Sequence, residues 1–320
     1  MHTLGMLLKT YRGDLTYAER LITSYTKHNV NNIPLFIVTP QSDLGAFKKF
    51  TNDYIKLLSD ESITTHLVSD DNVNGIQPGY INQEIIKLAF WEKRVCKNYV
   101  CLDSDGQFIR DFFVSDFMYD ADVPYTILLE DNELKVDPEY YHQHWQEREK
   151  WIRKIQETLG LIDRRMLTCH GFAILSAKVL ESLYKNFMSP RQLTYIDLIQ
   201  MSPYEFSWYN MWLQKDNTIP LYMRESVFKC FHNQNQHLDY LKKGITLADI
   251  ARGYLGLVIN SNYSRKYGVV SYGDGKKYIM SLNEITLYSK NIVRSIFLIL
   301  YNKIKIYLVK FMFLIHLKTR

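Results

Sequence analysis

The sequence predicts an α/β fold built around a mostly parallel sheet. Short apolar runs alternate along the chain with stretches whose apolar residues recur at helical spacing. This order of strand, helix and strand is typical of parallel strands joined by crossover helices. The chain has 320 residues and 47% hydrophobic content, which is enough to bury the core of one large domain.

The first elements follow one another at short intervals. Apolar runs predict strands at 4–8, 34–38 and 64–68, and helical spacing predicts helices at 15–28 and 44–58. The turn signal Gln77-Pro78-Gly79-Tyr80 precedes a predicted helix at 81–93. Its spacing places Gln83 and Lys87 one turn apart on one face.

The second half of the chain continues the alternation. We predict strands at 99–105, 123–130, 166–175 and 220–231, and helices at 139–159 and 177–187. Ser202-Pro203-Tyr204-Glu205 has the pattern of a capping box that begins a further helix.

Two carboxylates mark the most informative position in the chain. The buried-strand pattern of Tyr99 to Leu102 runs directly into Asp103-Ser104-Asp105, and Gly106 follows. In an open α/β sheet, ligands collect at the carboxyl ends of the strands. Mn²⁺ or Mg²⁺ held by one or two carboxylates keeps free positions for phosphate oxygens. The pair therefore predicts a metal site that faces a phosphorylated substrate.

The placement of this Asp-x-Asp motif resembles that of the GT-A type of nucleotide-sugar glycosyltransferase. Three segments in order, 9–14, 79–88 and 99–105, together resemble a bacterial family of surface-polysaccharide glycosyltransferases known only as a domain of unknown function. Looser matches are His170-Gly171-Phe172, Glu205 followed by Tyr209, and His232, so the resemblance covers about residues 3 to 235. It implies a Rossmann-like nucleotide-sugar-binding fold and a role in capsule, lipooligosaccharide or O-antigen assembly.

The resemblance also implies roles on the donor side. Asp105 would ligate the cation and Asp103 would ligate it or hold the ribose, while His232 stands where a third ligand is expected, although most histidines are satisfied core or surface residues. The remaining donor-binding candidates are Thr10, Tyr11, Asp14, Gln83, Lys87 and Ser104. Tyr11 would stack on the nucleobase and Asp14 would accept from a uracil imide, or Asp14 caps a helix. Lys87 would face the phosphates, or is a solvated lysine.

On the acceptor side, an inverting transferase needs a general base near the attacking hydroxyl. Glu205 is the first candidate and Asp197 the second, with the capping box as the structural alternative for Glu205. A retaining enzyme needs no such base. His170, Trp208 and Tyr209 are candidates for sugar contacts, whereas an aromatic stripe at helical spacing also fits a buried core.

The charge pattern separates the end of the chain from the rest. The formal net charge is +5, and no acidic residue follows Glu284, whereas seven basic residues do: Lys290, Arg294, Lys303, Lys305, Lys310, Lys318 and Arg320. We expect a catalytic domain at 1–285 and a basic, hydrophobic, amphipathic helix at 286–320. Lys303, Lys305 and Lys310 interrupt the apolar stretch at 292–317 of this helix and favour an anionic membrane surface over a membrane span, with a buried docked helix as the alternative. The pattern does not favour nucleic acid as a partner.

The localisation follows from the same features. No secretory signal is recognisable at Met1 to Lys9, and the four cysteines show neither a CxxC pair nor a zinc spacing. We therefore expect buried, reduced thiols and a cytosolic protein. Together with the basic C-terminal helix, the resemblance implies a place for the protein at the cytosolic face of the bacterial inner membrane. Its partners would be a nucleotide-sugar donor and a saccharide or lipid-linked acceptor.

Other functions use similar carboxylates. A metal-dependent phosphatase would carry its Asp pair after the first strand, where this chain has Lys9-Thr10-Tyr11, and a nucleotidyltransferase would carry a glycine-rich basic loop there. A catalytically inactive sugar-binding scaffold is the non-enzymatic alternative.

Overall fold

The structure is a computed structural model that describes residues 1–69, 77–127, 141–142, 146–161 and 172–273. Five isolated helical residues beyond these ranges are also described: 293, 297, 300, 301 and 304. The chain divides into two units, Met1–Tyr272 and Gly273–Arg320. All features of the fold and the site below belong to the first unit.

The strands are, in chain order, β1 (His2–Lys9), β2 (Leu35–Thr39), β3 (Ile55–Ser59), β4 (Cys96–Leu102), β5 (Gly106–Phe108), β6 (Thr126–Ile127), β7 (Phe172–Ser176), β8 (Met223–Arg224), β9 (Phe228–Phe231) and β10 (Gly256–Ile259). The helices are α1 (Leu15–His28), α2 (Leu44–Phe47), α3 (Asp60–Ile63), α4 (Pro78–Ala89), α5 (Gln146–Leu159), α6 (Ala177–Ser182), α7 (Tyr195–Met201), α8 (Glu205–Asp216), α9 (Gln234–Lys242), α10 (Leu247–Ala251) and α11 (Ser261–Tyr267).

The central sheet has the strand order β3-β2-β1-β4-β7. The first four strands are parallel, and β7 pairs with β4 in the antiparallel direction. The predicted α/β fold with a mostly parallel sheet is therefore confirmed. A second sheet, β5-β10-β9, begins four residues after β4 and carries the chain away from the central sheet.

Helices cover both faces of the central sheet. Side chains of β1 alternate, so that Leu7 joins the core beneath α4 and α8, while Leu8 joins the core beneath α1. Tyr99 and Val100 divide in the same way on β4. Burial on both faces explains why these strands are nearly continuous hydrophobic runs.

The predicted helix at 44–58 and the predicted strand at 64–68 are wrong. Helix α2 ends at Phe47 and a short 3₁₀ helix continues to Phe50. The Asn52 side chain then accepts hydrogen bonds from the backbone N–H groups of Tyr54 and Ile55 and stabilises the turn that leads into β3. The third strand is β3, parallel to β2.

The predicted capping box at Ser202 is also wrong. Helix α8 begins at Glu205 with Tyr204 as its N-cap, and Tyr204 makes no side-chain capping hydrogen bond. A capping box lies one helix earlier, where Thr194 and Asp197 exchange hydrogen bonds at the start of α7. Helix α4 begins at Pro78, which is favoured at a first helical position.

Three of the four cysteines are free and buried: Cys96, Cys101 and Cys230. This confirms the predicted burial for these three, and Cys169 lies outside the described residues.

The predicted domain boundary at 285/286 falls outside the described residues and stays a prediction. Within the second unit, the described residues are Gly273 and the five isolated helical residues, and all of them are exposed. Among the residues that the structure describes, no helix is long and apolar enough to cross a membrane.

Candidate functional site

The predicted Asp pair lies at the carboxyl edge of the central sheet. Strand β4 ends at Leu102, and Asp103 to Gly106 form a turn closed by the hydrogen bond from Gly106 N to Asp103 O, 3.0 Å. A Cβ on Gly106 would lie 3.1 Å from that same oxygen, so a residue without a side chain suits this close approach. The turn places both aspartates where the first and second sheets separate.

Asp105 is buried, with one oxygen paired and the other orphaned. Its Oδ2 accepts a hydrogen bond from the backbone N–H of Ser261 at 2.8 Å, whereas Oδ1 has no hydrogen-bond partner. Burial and the neighbouring Asp103 carboxylate raise the pKa of Asp105 to about 7. A buried carboxylate oxygen without a partner is costly unless a ligand satisfies it.

Asp103 belongs to a cluster of charges around Lys87. The Lys87 ammonium, on α4, lies 3.1 Å from Asp103 Oδ1 and 2.9 Å from Glu205 Oε1. Glu84, one turn earlier on α4, accepts a hydrogen bond from the backbone N–H of Glu205 at 3.3 Å. Lys87, Glu205 and Glu84 are buried, while about a third of the Asp103 side chain, 34%, is exposed.

The protonation of this cluster follows from one buried cation and three carboxylates. Burial opposes the charge of Lys87, but Asp103 and Glu84 outweigh it and raise the pKa of the ammonium above its ordinary value. Burial raises the pKa of Glu84 to about 8, although Lys87 acts in the opposite direction. Glu84 is therefore mainly a neutral acid at pH 7, and Lys87 is charged.

The loop between β1 and α1 lies beside the Asp pair. Ser104, between the two aspartates, donates a hydrogen bond to Asp14 Oδ2 at 2.8 Å. Arg265 of α11 forms an ion pair with Asp14 Oδ1 and donates to the Tyr11 hydroxyl at 3.1 Å. Both Asp14 oxygens are thus engaged, and the Tyr11 side chain remains exposed.

A further cluster of polar side chains lies at the same edge, at the carboxyl ends of β1, β2 and β3. The buried Lys9 ammonium is 3.1 Å from Asp60 Oδ2 and donates to Thr10 O. Burial lowers the pKa of Lys9 and raises that of Asp60, because desolvation outweighs their attraction. The hydroxyls of Thr10 and Thr39 are buried without hydrogen-bond partners.

The donor set fits a hard divalent cation in part. Asp103 and Asp105 supply carboxylate oxygens, one of them orphaned, and Mg²⁺-type ions need only one or two carboxylates when a substrate supplies phosphates. Within the described ranges no three His, Cys, Asp or Glu side chains form a ready-made metal site. His232 follows β9, whose last residue Phe231 pairs with Ile259 of β10, and the Ile259 backbone N–H donates to the Asp105 carbonyl oxygen at 3.2 Å. The register therefore places His232 at the same end of the second sheet as the Asp turn, two strands away. Its role as a ligand stays a prediction.

The acceptor candidates are mostly structural in this arrangement. Trp208 and Tyr209 are 0% and 1% exposed, so neither ring face is available to a sugar, and the alternative of a core stripe is correct. The Trp208 indole donates to the carbonyl oxygens of Leu198 and Ser202.

The other acceptor candidates differ in what the structure shows of them. Asp197 caps α7, and its hydrogen bonds from Thr194 lower its pKa. Glu205 is buried against Lys87, and His170 lies outside the described residues. Gln83 is half-buried on α4, one turn before Lys87, so the predicted common face is confirmed.

Sequence reasoning missed several residues of the site: Arg20, Asp60, Glu84, Ser261 and Arg265. Arg20 donates to the carbonyl oxygen of Asp105 at 2.9 Å. Glu84 lies one turn before Lys87, so helical spacing provides a signal for it. Arg265 is 251 residues from Asp14, and no local pattern predicts such a contact.

The fold is GT-A-like. The chain belongs to a family of unknown function, DUF6492, whose profile matches residues 3–249. Among solved structures, the apo structure of the bifunctional glycosyltransferase WbbM is similar, with a TM-score of 0.50 and 11% sequence identity. The match covers 90% of this chain and 51% of WbbM, so the chain spans about half the length of that protein. No match was found among curated proteins.

Proposed function

We propose that this protein is a metal-dependent glycosyltransferase that moves a sugar from a nucleoside-diphosphate sugar to a bacterial surface-polysaccharide or lipid-linked acceptor. The observation that carries the proposal is the carboxylate pair Asp103/Asp105 at the carboxyl edge of the sheet, with one buried oxygen that lacks a partner. The likeness in fold to WbbM, a bifunctional glycosyltransferase, also supports the proposal.

The proposed roles follow from the contacts. Asp103 and Asp105 would hold Mn²⁺ or Mg²⁺, which supplies Lewis-acid stabilisation of the leaving diphosphate. Lys87 fixes Asp103 and adds a buried positive charge beside the place where phosphate charge develops. Glu205 fixes Lys87 in turn, and it remains the candidate base if the reaction inverts the anomeric centre.

The test is a panel of nucleotide sugars in which Mn²⁺-dependent binding and hydrolysis are measured for the wild type and Asp105→Asn. Asparagine keeps an oxygen that can accept from Ser261 N–H but loses the negative charge. Asp122→Asn is the matched control, because Asp122 is exposed and pairs only with the surface Lys97 in the contacts described. We expect Asp105→Asn alone to lose activity while both variants retain the wild-type melting temperature.

Two results would refute the proposal. One is full activity of the wild type in a chelator, and the other is full activity of Asp105→Asn. Transfer of a nucleotidyl group or release of inorganic phosphate, in place of sugar transfer, would instead identify a nucleotidyltransferase or phosphatase.

The proposed location is the cytosolic face of the inner membrane, through the basic segment 286–320. Support comes from the sequence, since Lys303, Lys305 and Lys310 interrupt an otherwise apolar segment. Flotation of the full chain with vesicles tests this location. We expect the protein to bind anionic vesicles and not zwitterionic ones. Replacement of the three lysines by glutamine should abolish the binding. Equal flotation of both proteins would contradict the proposal.

A further inference from the structure

Helix α11 contacts both loops of the candidate site, namely the turn at Asp103 to Gly106 and the loop between β1 and α1. Helix α11 follows β10, and its first residue, Ser261, donates its backbone N–H to Asp105. One turn later Ser264 shares a hydrogen bond of 2.8 Å with the Tyr17 hydroxyl of α1. Arg265 then reaches Asp14 and Tyr11 in the loop between β1 and α1. The helix thus contacts both the carboxylate turn and the loop beside it.

Helix α11 lies beyond the residues that the family profile matches. The family match ends at residue 249, and α11 spans Ser261–Tyr267. Its contacts with the site are therefore a property of this chain that family membership does not assign.

The guanidinium of Arg265 is already matched by its neighbours. One nitrogen pairs with the Asp14 carboxylate and another donates to the Tyr11 hydroxyl, and the group also lies 5.8 Å from the centre of the Tyr17 ring. Because Asp14 neutralises its charge, Arg265 is suited to hold the loop in place rather than to attract phosphate.

The Tyr11 ring is contacted by Gly13 and Arg265 and is partly exposed, with the Arg265 guanidinium carbon 6.0 Å from the ring centre. Beneath it lies Gly13, where an added Cβ would come within 2.3 Å of the ring. The hydroxyl end is held by Arg265, and 43% of the residue is exposed. A flat, partly exposed aromatic ring that is fixed in position favours stacking of a planar ligand.

We propose that Arg265 is a positioning residue of the donor site that fixes the Tyr11 ring as the platform on which the base of a nucleoside diphosphate stacks. The proposal rests on the proposed function, because it concerns the same donor. It assigns Arg265 to the nucleoside half of the donor and leaves the diphosphate to the carboxylate turn.

The experiment compares two ligands in the presence of Mn²⁺. A panel of nucleoside diphosphates is titrated calorimetrically against the wild-type full chain, and the tightest is then compared with inorganic pyrophosphate. Arg265→Met removes both contacts, and Tyr11→Phe keeps the ring but removes the hydroxyl that Arg265 binds. Arg252→Met is the matched control, because Arg252 is highly exposed, with only a 3.9 Å ion pair to Asp249 in the contacts described.

We expect Arg265→Met to weaken binding of the nucleoside diphosphate about tenfold, the size of one lost hydrogen bond to a charged group. Binding of pyrophosphate should change less than about twofold, because the diphosphate contacts are intact. Tyr11→Phe should also weaken nucleoside diphosphate binding. The double variant should be no weaker than Arg265→Met, since Tyr11→Phe removes an interaction that Arg265→Met has already removed. Arg252→Met should bind both ligands as the wild type does.

The alternatives give different patterns. Equal weakening of nucleoside diphosphate and pyrophosphate would overturn the proposal, since Arg265 would then act on the phosphates or on the fold. Wild-type affinity of Arg265→Met would overturn it as well. If the wild type binds pyrophosphate with Mn²⁺ but no nucleoside diphosphate, both this proposal and the proposed function fail. If it binds a nucleoside diphosphate but transfers no sugar, only the proposed function fails.

Discussion

Replacement of Lys87 by methionine tests the charge cluster at the site. Methionine has a similar length and fills the same space, so the main change is the loss of the ammonium between Asp103 and Glu205. The Asp103 side chain is 34% exposed, so water can solvate its carboxylate once the ammonium is lost. The Glu205 side chain is only 7% exposed, so its carboxylate cannot be solvated in the same way. The cost of the substitution therefore falls on Glu205.

The size of that cost depends on pH. A buried carboxylate without a cation becomes protonated, and protonation of a glutamate with an ordinary pKa of about 4.3 costs about 4 kcal/mol at pH 7 and about 1 kcal/mol at pH 5. The value at pH 7 lies within the range of about 3–5 kcal/mol observed when one partner of a buried ion pair is removed. We therefore expect Lys87→Met to reduce the free energy of unfolding strongly at pH 7 and weakly at pH 5.

Urea unfolding at both pH values measures this effect. Lys97→Met is the matched control, since its ion pair with Asp122 is exposed and should contribute little at either pH. Adding Glu205→Gln to Lys87→Met should restore much of the lost stability at pH 7, because no carboxylate then remains beside the methionine. Equal effects of Lys87→Met and Lys97→Met, or a loss of stability that is the same at pH 5 and pH 7, would refute the reasoning.

Three further predictions concern buried groups of the same unit. Burial raises the pKa of Glu84 to about 8 in the folded protein, against an ordinary value of 4.5. Its stabilising contribution is therefore complete below pH 4.5 and is lost as the pH rises to 8. Glu84→Gln should make the free energy of unfolding decline less between about pH 5 and pH 8 than it does in the wild type. Lys9→Met should destabilise by about 3–5 kcal/mol in urea unfolding, because Asp60 is then buried alone. A further Asp60→Leu change should recover most of that loss; no recovery would show that the pair itself stabilises the fold. Trp208→Ala should cost about 3–5 kcal/mol of stability without changing acceptor affinity per folded molecule, and a selective loss of acceptor binding would restore its sugar-contact role.

Local sequence patterns predict the elements that carry the site. Helix α1 has the predicted limits, whereas β4 begins three residues before the predicted strand at 99–105 and ends three residues before its end, because the aspartates lie in the turn that follows. These elements have long apolar patterns in which the period and the propensity agree, so tertiary contacts do not override them.

The errors fall where a short motif has two structural solutions. Ser202-Pro203-Tyr204-Glu205 has the letters of a capping box, but the side chain of Glu205 pairs with Lys87 on another helix. Its backbone N–H donates to Glu84, so the local partner is not needed. In the same way, the apolar residues at 55–58 fit a helix and a strand equally well, and pairing with β2 decides for the strand.

The contacts that complete the site are not predictable from spacing alone. Arg265 meets Asp14 because β10 pairs with β5 directly after the Asp turn, which returns the chain to the first loop. Such a contact depends on the register of a second sheet, and single-sequence patterns carry no information on strand order between distant segments. The sequence therefore predicts which residues form the carboxylate turn, but not what surrounds it.

The electrostatics of the site argue for a ligand more strongly than the fold does. Two carboxylates, Asp103 and Glu205, flank the ammonium of Lys87, and the buried Glu84 accepts a hydrogen bond from the backbone of Glu205. Asp105 adds a buried oxygen without a partner. An apolar arrangement of similar volume would be at least as stable, since buried charges are seldom retained for stability alone. Functional sites are where such local costs persist, because a bound ligand removes them. A divalent cation with a diphosphate would satisfy the orphaned oxygen of Asp105 and reduce the repulsion between Asp103 and Asp105 in a single binding event. On this reasoning, Mn²⁺ together with a nucleoside diphosphate should raise the melting temperature of the wild type and leave that of Asp105→Asn almost unchanged. An equal increase in the melting temperatures of both proteins would show that the cation binds elsewhere.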